Sequence, residues 1–192
     1  MSDAWLFFKE FVREPGGVGA VMPSSPALAA SIVAAAELRD GQVIAEFGAG
    51  TGPFTRAIRT AVPGARLIAF EPSGPMAAKL RQEMPDLDLV ERYAADLPDV
   101  LAERDLPTCD RVVSGLPWAV FPEDVQRQNL SAVTQCLSPG GRFVTFQYVH
   151  SQVMPQAKRF LALMGETFAT VNRSPITWNN VPPAFVFVGT VA

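Results

Sequence analysis

The sequence predicts an α/β protein: a doubly wound sheet of seven strands, mostly parallel, that closes with a C-terminal antiparallel hairpin strand. Three observations carry that expectation. Short apolar runs alternate with helical stretches from residue 43 to residue 164, the order that builds a parallel sheet with helices on both faces. The first run, Val43 to Phe47, passes straight into a glycine loop and then into Pro53, which suits a first helical turn. The last two apolar runs, near Phe168 to Arg173 and Ala184 to Val191, flank Ser174 to Pro183 with no helix between them, as a hairpin requires.

Each element has a local reason. Residues 3–14 read as a helix that Pro15-Gly16-Gly17 stops. At helical spacing Phe7, Phe11, Phe8, Val12 and Trp5 share one face, while Lys9, Arg13, Glu10 and Glu14 hold the other and Leu6 falls among the charges. Such a segment fits either an interfacial helix with aromatic residues between lipid headgroups or a helix packed on the domain. Ser25 followed by Pro26 is a cap and first-turn pair for a helix to about Ala36. Ser24, Ser25 and the free N–H groups there could bind a phosphate, or could serve capping alone.

Beyond the glycine loop, a helix covers Phe54 to Ala61 and Val62-Pro63-Gly64 turns the chain. Arg66 to Glu71 is the second strand, and Ser73 to Met84 a helix. The third strand runs Leu87 to Tyr93, followed by a helix over Leu97 to Glu103. Asp110 to Gly115 is the fourth strand and Glu123 to Cys136 the next helix. Ser138-Pro139-Gly140-Gly141 then turns into a fifth strand, Arg142 to Val149, and a helix spans about Val153 to Met164.

Composition narrows the function classes. At 192 residues the chain is expected to form one domain, 1–192, with a substantial core and no separate substrate domain. A net charge of −3 with no long basic run argues against a nucleic-acid partner held by phosphate contacts. Cys109 and Cys136 have neither metal nor disulfide spacing and read as reduced thiols, and the lone histidine, His150, excludes a multi-histidine metal centre, so no metal is expected. No signal peptide is visible, and the run Ala27 to Ala36 is far shorter than the ~20 residues that span a bilayer. The expectation is a cytoplasmic monomer that can still lie on a membrane.

The stretch Glu46-Phe47-Gly48-Ala49-Gly50-Thr51-Gly52 points to the ligand. A dinucleotide fingerprint would need its third glycine at position 53, which is Pro53. The pattern is instead Glu-x-Gly-x-Gly-x-Gly, which resembles the first motif of the class I S-adenosyl-L-methionine (AdoMet) methyltransferases. That resemblance implies a Rossmann-like fold and a loop wrapped around the cationic methionine end of AdoMet, with S-adenosyl-L-homocysteine as product. An acid such as Glu46 suits a cationic ligand and would repel a pyrophosphate. Glu71, about twenty residues on and followed by Pro72, can accept both ribose hydroxyls. The family places an acid-plus-apolar pair against the adenine, here Asp96 and Leu97, and Ser114 falls at the next strand end. These groups share the carboxyl edge of one sheet, where open α/β sheets bind ligands.

The segment after the fourth strand holds the acceptor in this family. Amino-adenine methyltransferases carry Asn/Asp-Pro-Pro-Tyr there, and ribosomal RNA adenine dimethylases a variant of it. Ser114-Gly115-Leu116-Pro117-Trp118 keeps the proline and aromatic but lacks the amide or acid that grips a base amine. Phe7-Phe8-Lys9-Glu10-Phe11, Gly19 to Ser25, Ser114 to Trp118 and Gln147-Tyr148 together resemble the bacterial phospholipid N-methyltransferases, which convert phosphatidylethanolamine stepwise to phosphatidylcholine. The resemblance implies an N-terminal helix on the inner face of the cell membrane, in contact with phosphatidylethanolamine and anionic lipids, with Met22, Pro23, Ser24 and Ser25 near cofactor and headgroup. Leu116, Trp118, Tyr148 and Trp178 are the further substrate candidates. With Phe121, three of these could form an aromatic box for a quaternary ammonium, namely Trp118, Tyr148 and Trp178. Tyr148 and His150 are the candidates for helping a proton leave, and Tyr148 serves equally as a phosphate ligand. An RNA or a small amine is the alternative acceptor.

Overall fold

The computed structural model describes residues 24–192. The helix expected over residues 3–14, together with Met22 and Pro23, lies outside the described residues. The chain runs α1 (Pro26–Ala36), β1 (Val43–Phe47), α2 (Pro53–Ala61), β2 (Arg66–Phe70), α3 (Gly74–Glu83) and β3 (Asp88–Val90). It continues with α4 (Leu97–Ala102), β4 (Cys109–Ser114), α5 (Glu123–Cys136), β5 (Leu137–Tyr148), α6 (Pro155–Thr167), β6 (Thr170–Arg173) and β7 (Ala184–Thr190). The seven strands form one sheet in the order β3-β2-β1-β4-β5-β7-β6. Pairing from β3 through β5 is parallel, and β7 inserts antiparallel between β5 and β6. The expected doubly wound, Rossmann-like sheet with an antiparallel C-terminal hairpin is the observed fold.

Alternation along the strands divides the core between the two faces. Ile44, Leu67, Val113, Val144 and Val186 meet Leu28 and Ile32 of α1 and Phe54 and Ile58 of α2. Ala45, Phe47, Ile68, Phe70, Val112, Phe143 and Phe185 face Leu97, Leu130, Val133, Phe160 and Leu163 from α4, α5 and α6. Because β1 pairs with both β2 and β4, the winding reverses beside it, and the carboxyl ends of these strands are where an open α/β sheet binds a ligand.

Three elements differ most from expectation. β3 is only three residues long, and its first residue Asp88 is held by Arg104 Nε at 2.7 Å. β5 begins at Leu137, directly after α5: Leu137 pairs with Cys109 and Arg142 with Arg111, and Ser138–Gly141 bulges out between those pairs, with Gly140 at φ +71°. After Tyr148 the chain makes a 3-10 turn, Val149–Val153, so the last helix starts at Pro155 rather than Val153 and runs three residues past Met164. Pro155 at a first-turn position fixes that start.

Candidate active site

The glycine loop leaves β1 and is pinned to β2. Gly48 and Ala49 donate their N–H groups to the Phe70 carbonyl at 2.9 and 3.1 Å. Gly50 N–H donates to Glu71 Oε2 at 2.8 Å, and Ser73 N–H donates to Glu71 Oε1 at the same distance. Gly48, at φ +72°, takes a conformation that L side chains rarely adopt, and a Cβ there would meet Leu116 Cδ2 at 2.9 Å. From the other side, a Cβ on Gly115 would meet the Gly48 carbonyl oxygen at 3.0 Å. The glycine loop and the segment after β4 are therefore laid backbone against backbone.

Two acids stand behind this crossing. Glu71 is fully buried, and burial raises its pKa while the N–H groups of Ser73 and Gly50 pull it down. Each carboxylate oxygen keeps a second lone pair for a further donor such as a ribose hydroxyl. Glu46 is also fully buried, and neither of its oxygens has a hydrogen-bond partner among the described residues. Burial pushes it up to about 7, while the side chain and N–H of Thr55 in α2 lie close enough to offset part of that rise. The Thr55 hydroxyl is likewise unpartnered. A desolvated carboxyl without a donor is costly, and a cationic ligand would relieve it. The crossing loops and the orphaned acid fit the methionine end of AdoMet, and Glu71 fits its ribose.

The remaining candidates separate into groups. Asp96 ends a 3-10 turn, Ala94–Asp96, where its Oδ2 accepts from Tyr93 N–H at 3.0 Å; Leu97 behind it is fully buried. Pro72 is partly buried between Glu71 and Ser73, and Thr51 supplies a carbonyl to the Arg56 guanidinium. Ser114 is occupied: its Oγ accepts from Trp118 Nε1 at 2.9 Å and from Leu116 N–H at 3.3 Å. Trp118 is 2% exposed, stacked on Phe160 at 4.7 Å and edge-on to Phe121 and Phe143. That places Trp118 and Phe121 in the core, with Leu116 above them against the glycine loop.

Tyr148, at the end of β5, stacks on His150 at 5.6 Å, and burial raises its phenol. The phenol is thus held protonated at neutral pH, which suits donation to an anion more than removal of a proton. Trp178 lies apart from Trp118, exposed on the connection between β6 and β7. Ser25 caps α1, its Oγ accepting from Leu28 N–H at 3.2 Å, and its own N–H donates to Asn180 Oδ1 at 3.1 Å. Ser24 beside it is partly buried.

Sequence reasoning missed Thr55, Gly115 and Asn180. Thr55 carried a signal, three residues into the helix after the loop. Gly115 carried one as well, a glycine closing an apolar strand. Asn180 carried none, since its partner is 155 positions away. The two cysteines are free and buried, which pushes Cys109 up to about 12 and Cys136 to about 11, so both thiols are protonated and inert. No group of metal ligands occurs among the described residues.

The sequence and the fold have counterparts among known proteins. Residues 44–141 match the methyltransferase domain family. The ornithine lipid N-methyltransferase of Singulisphaera acidiphila is 36% identical over 147 residues, which cover 74% of this chain and 77% of that protein. The ribosomal RNA small subunit methyltransferase A of Thermotoga neapolitana is 34% identical over 109 residues, 57% of this chain but 40% of the relative. Among solved structures, precorrin-6y C5,15-methyltransferase from Geobacter metallireducens superposes with a TM-score of 0.66 at 18% identity, covering 86% of this chain and 88% of its own. Human N-acetylserotonin methyltransferase, solved with AdoMet bound, gives 0.65 at 13% identity, covering 85% and 51%.

Proposed function

Since the chain belongs to the class I AdoMet-dependent methyltransferases, with AdoMet as its cofactor, we propose that it methylates the amine of a membrane lipid. The observation that carries this reading is the 36% identity with an ornithine lipid N-methyltransferase across three quarters of both chains. Within lipid amines, phosphatidylethanolamine and its methylated intermediates, leading towards phosphatidylcholine, are the substrates supported by the motif resemblance. An ornithine lipid is the substrate supported by the relative. An amine at the end of a lipid headgroup is what the two share.

When bound, AdoMet supplies an electrophilic methyl group on a sulfonium centre. The residues of the chain do the positioning, which supplies much of the rate in an in-line displacement. Glu46 and the Gly48–Gly52 loop hold the methionine end, Glu71 holds the ribose, and Asp96 with Leu97 borders the adenine. Leu116, pressed on Gly48, sets the floor on which an acceptor amine approaches. Tyr148 and His150 stand at the same sheet edge, with the protonated phenol placed to donate to a headgroup anion.

A second reading, N-methylation of RNA, is favoured by the match to the ribosomal RNA methyltransferase. The burial of Trp118 weighs against it, since the ring that would stack on a base is packed on Phe160. Competition for a labelled methyl group among amine-lipid vesicles, ribosomal RNA and soluble amines tests the proposal. Label in lipid is the expected outcome, and label in RNA or a soluble amine alone would overturn it.

A further inference from the structure

The carboxyl edge of the sheet carries a second feature beside the cofactor loops. Val149 N–H donates to Pro183 O at 2.9 Å, and Thr177 bridges Ala184, which pairs with Tyr148. The 149–153 turn and the 177–183 connection therefore lie side by side at the end of β5. Three large apolar side chains stand out of them into solvent: Val153 at 77%, Trp178 at 69% and Val181 at 70% exposure. Neighbouring backbone is firmly held, with Asn180 buried between Ser25 N–H and the Pro182 carbonyl, and Thr177 Oγ1 2.9 Å from Ser31 Oγ. Apolar groups displayed on a braced edge mark an interaction surface more than loose chain does.

Charge identifies the partner. The whole chain is acidic, yet beyond Asp124 its charged residues are Arg127, Arg142, Lys158, Arg159 and Arg173 against Glu166 alone. Neither 149–160 nor 173–184 contains an Asp or Glu. Lys158, in the first turn of α6, and Arg173, which lies over the Phe185 ring, have no carboxylate partner among the described residues. An acid-free apolar rim flanked by unpaired cations is complementary to anionic headgroups over hydrocarbon, with Trp178 suited to the boundary between them. The described chain also begins here, at Ser24, with Ser25 N–H held by Asn180 Oδ1.

We propose that Val153, Trp178 and Val181 form a membrane-insertion rim that seats the cofactor edge on an anionic phospholipid surface. The inference rests on the reading of a membrane-lipid substrate, and it adds a contact separate from residues 1–14.

Trp178 is its own reporter. In full-length W5F, the remaining tryptophans are Trp178 and the buried Trp118, so W5F/W178F provides the background. Mixed phosphatidylglycerol–phosphatidylcholine vesicles with brominated acyl chains should shift the Trp178 emission to the blue and quench it. V153D/V181D, altered only at exposed positions, should bind the same vesicles roughly ten-fold or more weakly in sedimentation. Unchanged Trp178 emission in vesicle-bound protein would overturn the proposal, as would absence of vesicle binding. Emission already blue before vesicles are added would overturn it too, because residues 1–23 would then cover the rim. These readouts need no turnover, so a rim that inserts while no lipid is methylated would sink the substrate reading and leave this inference standing.

Discussion

Glu46 shows what burying a single acid costs a fold. Its carboxyl is buried without a hydrogen-bond donor, and burial pushes it up to about 7. Between about pH 4.5 and 7 the folded chain therefore binds a proton that the unfolded chain has released. The stability tied to that proton is complete below about 4.5 and is lost as the pH rises through about 7, amounting to at most about 3 kcal/mol. Glu71 is shifted the same way, so absolute slopes mix the two acids. With both proteins free of cofactor, the urea midpoint of Glu46→Gln should rise relative to that of wild type as pH rises across that window. A stability difference independent of pH would contradict the assignment.

At the scale of the element, the glycine loop crosses the segment after β4 backbone against backbone, and that crossing is the cleft proposed for the cofactor. A Gly48→Ala substitution puts a Cβ at a left-handed position and into Leu116, with a strain of about 1–2 kcal/mol. Calorimetry should show AdoMet affinity reduced by roughly ten-fold or more, with a thermal melt confirming the fold; an unchanged affinity would mean the loop does not face the ligand. Much of this level was legible in the sequence. Val43–Phe47 and Glu123–Cys136 have the expected bounds because apolar runs and helix signals end there. Glu46 and Glu71 fall at the ends of β1 and β2, and Asp96 in the turn before α4, because spacing along β1, β2 and the β3–α4 connection counts them there. The start of β5 was not legible: Ser138–Gly141 does leave the ladder as its residues signal, but the distant pairing of Leu137 with Cys109 carries the strand back to the end of α5. Nor was the burial of Trp118, whose indole partner Ser114 is near in sequence but whose stacking partner Phe160 comes from α6. Local propensity reports what a segment can do; the far partner decides which option is used.

Across the whole molecule, chemistry and charge are arranged about one edge. The acids proposed to serve the cofactor lie in the first half of the chain, at the ends of β1 and β2 and in the turn before α4. The second half supplies Tyr148, His150, the exposed apolar rim and the unpaired cations. No helix among the described residues is long and apolar enough to cross a membrane. The most direct check of this account is a lipid mass spectrum from a bacterial host rich in phosphatidylethanolamine, lacking phosphatidylcholine, and supplied with ornithine lipid, before and after expression of the chain. Headgroups of either lipid heavier by one or more methyl units, absent when Gly48→Ala is expressed instead, are the predicted result. An unchanged lipid profile from folded protein that binds AdoMet would contradict it.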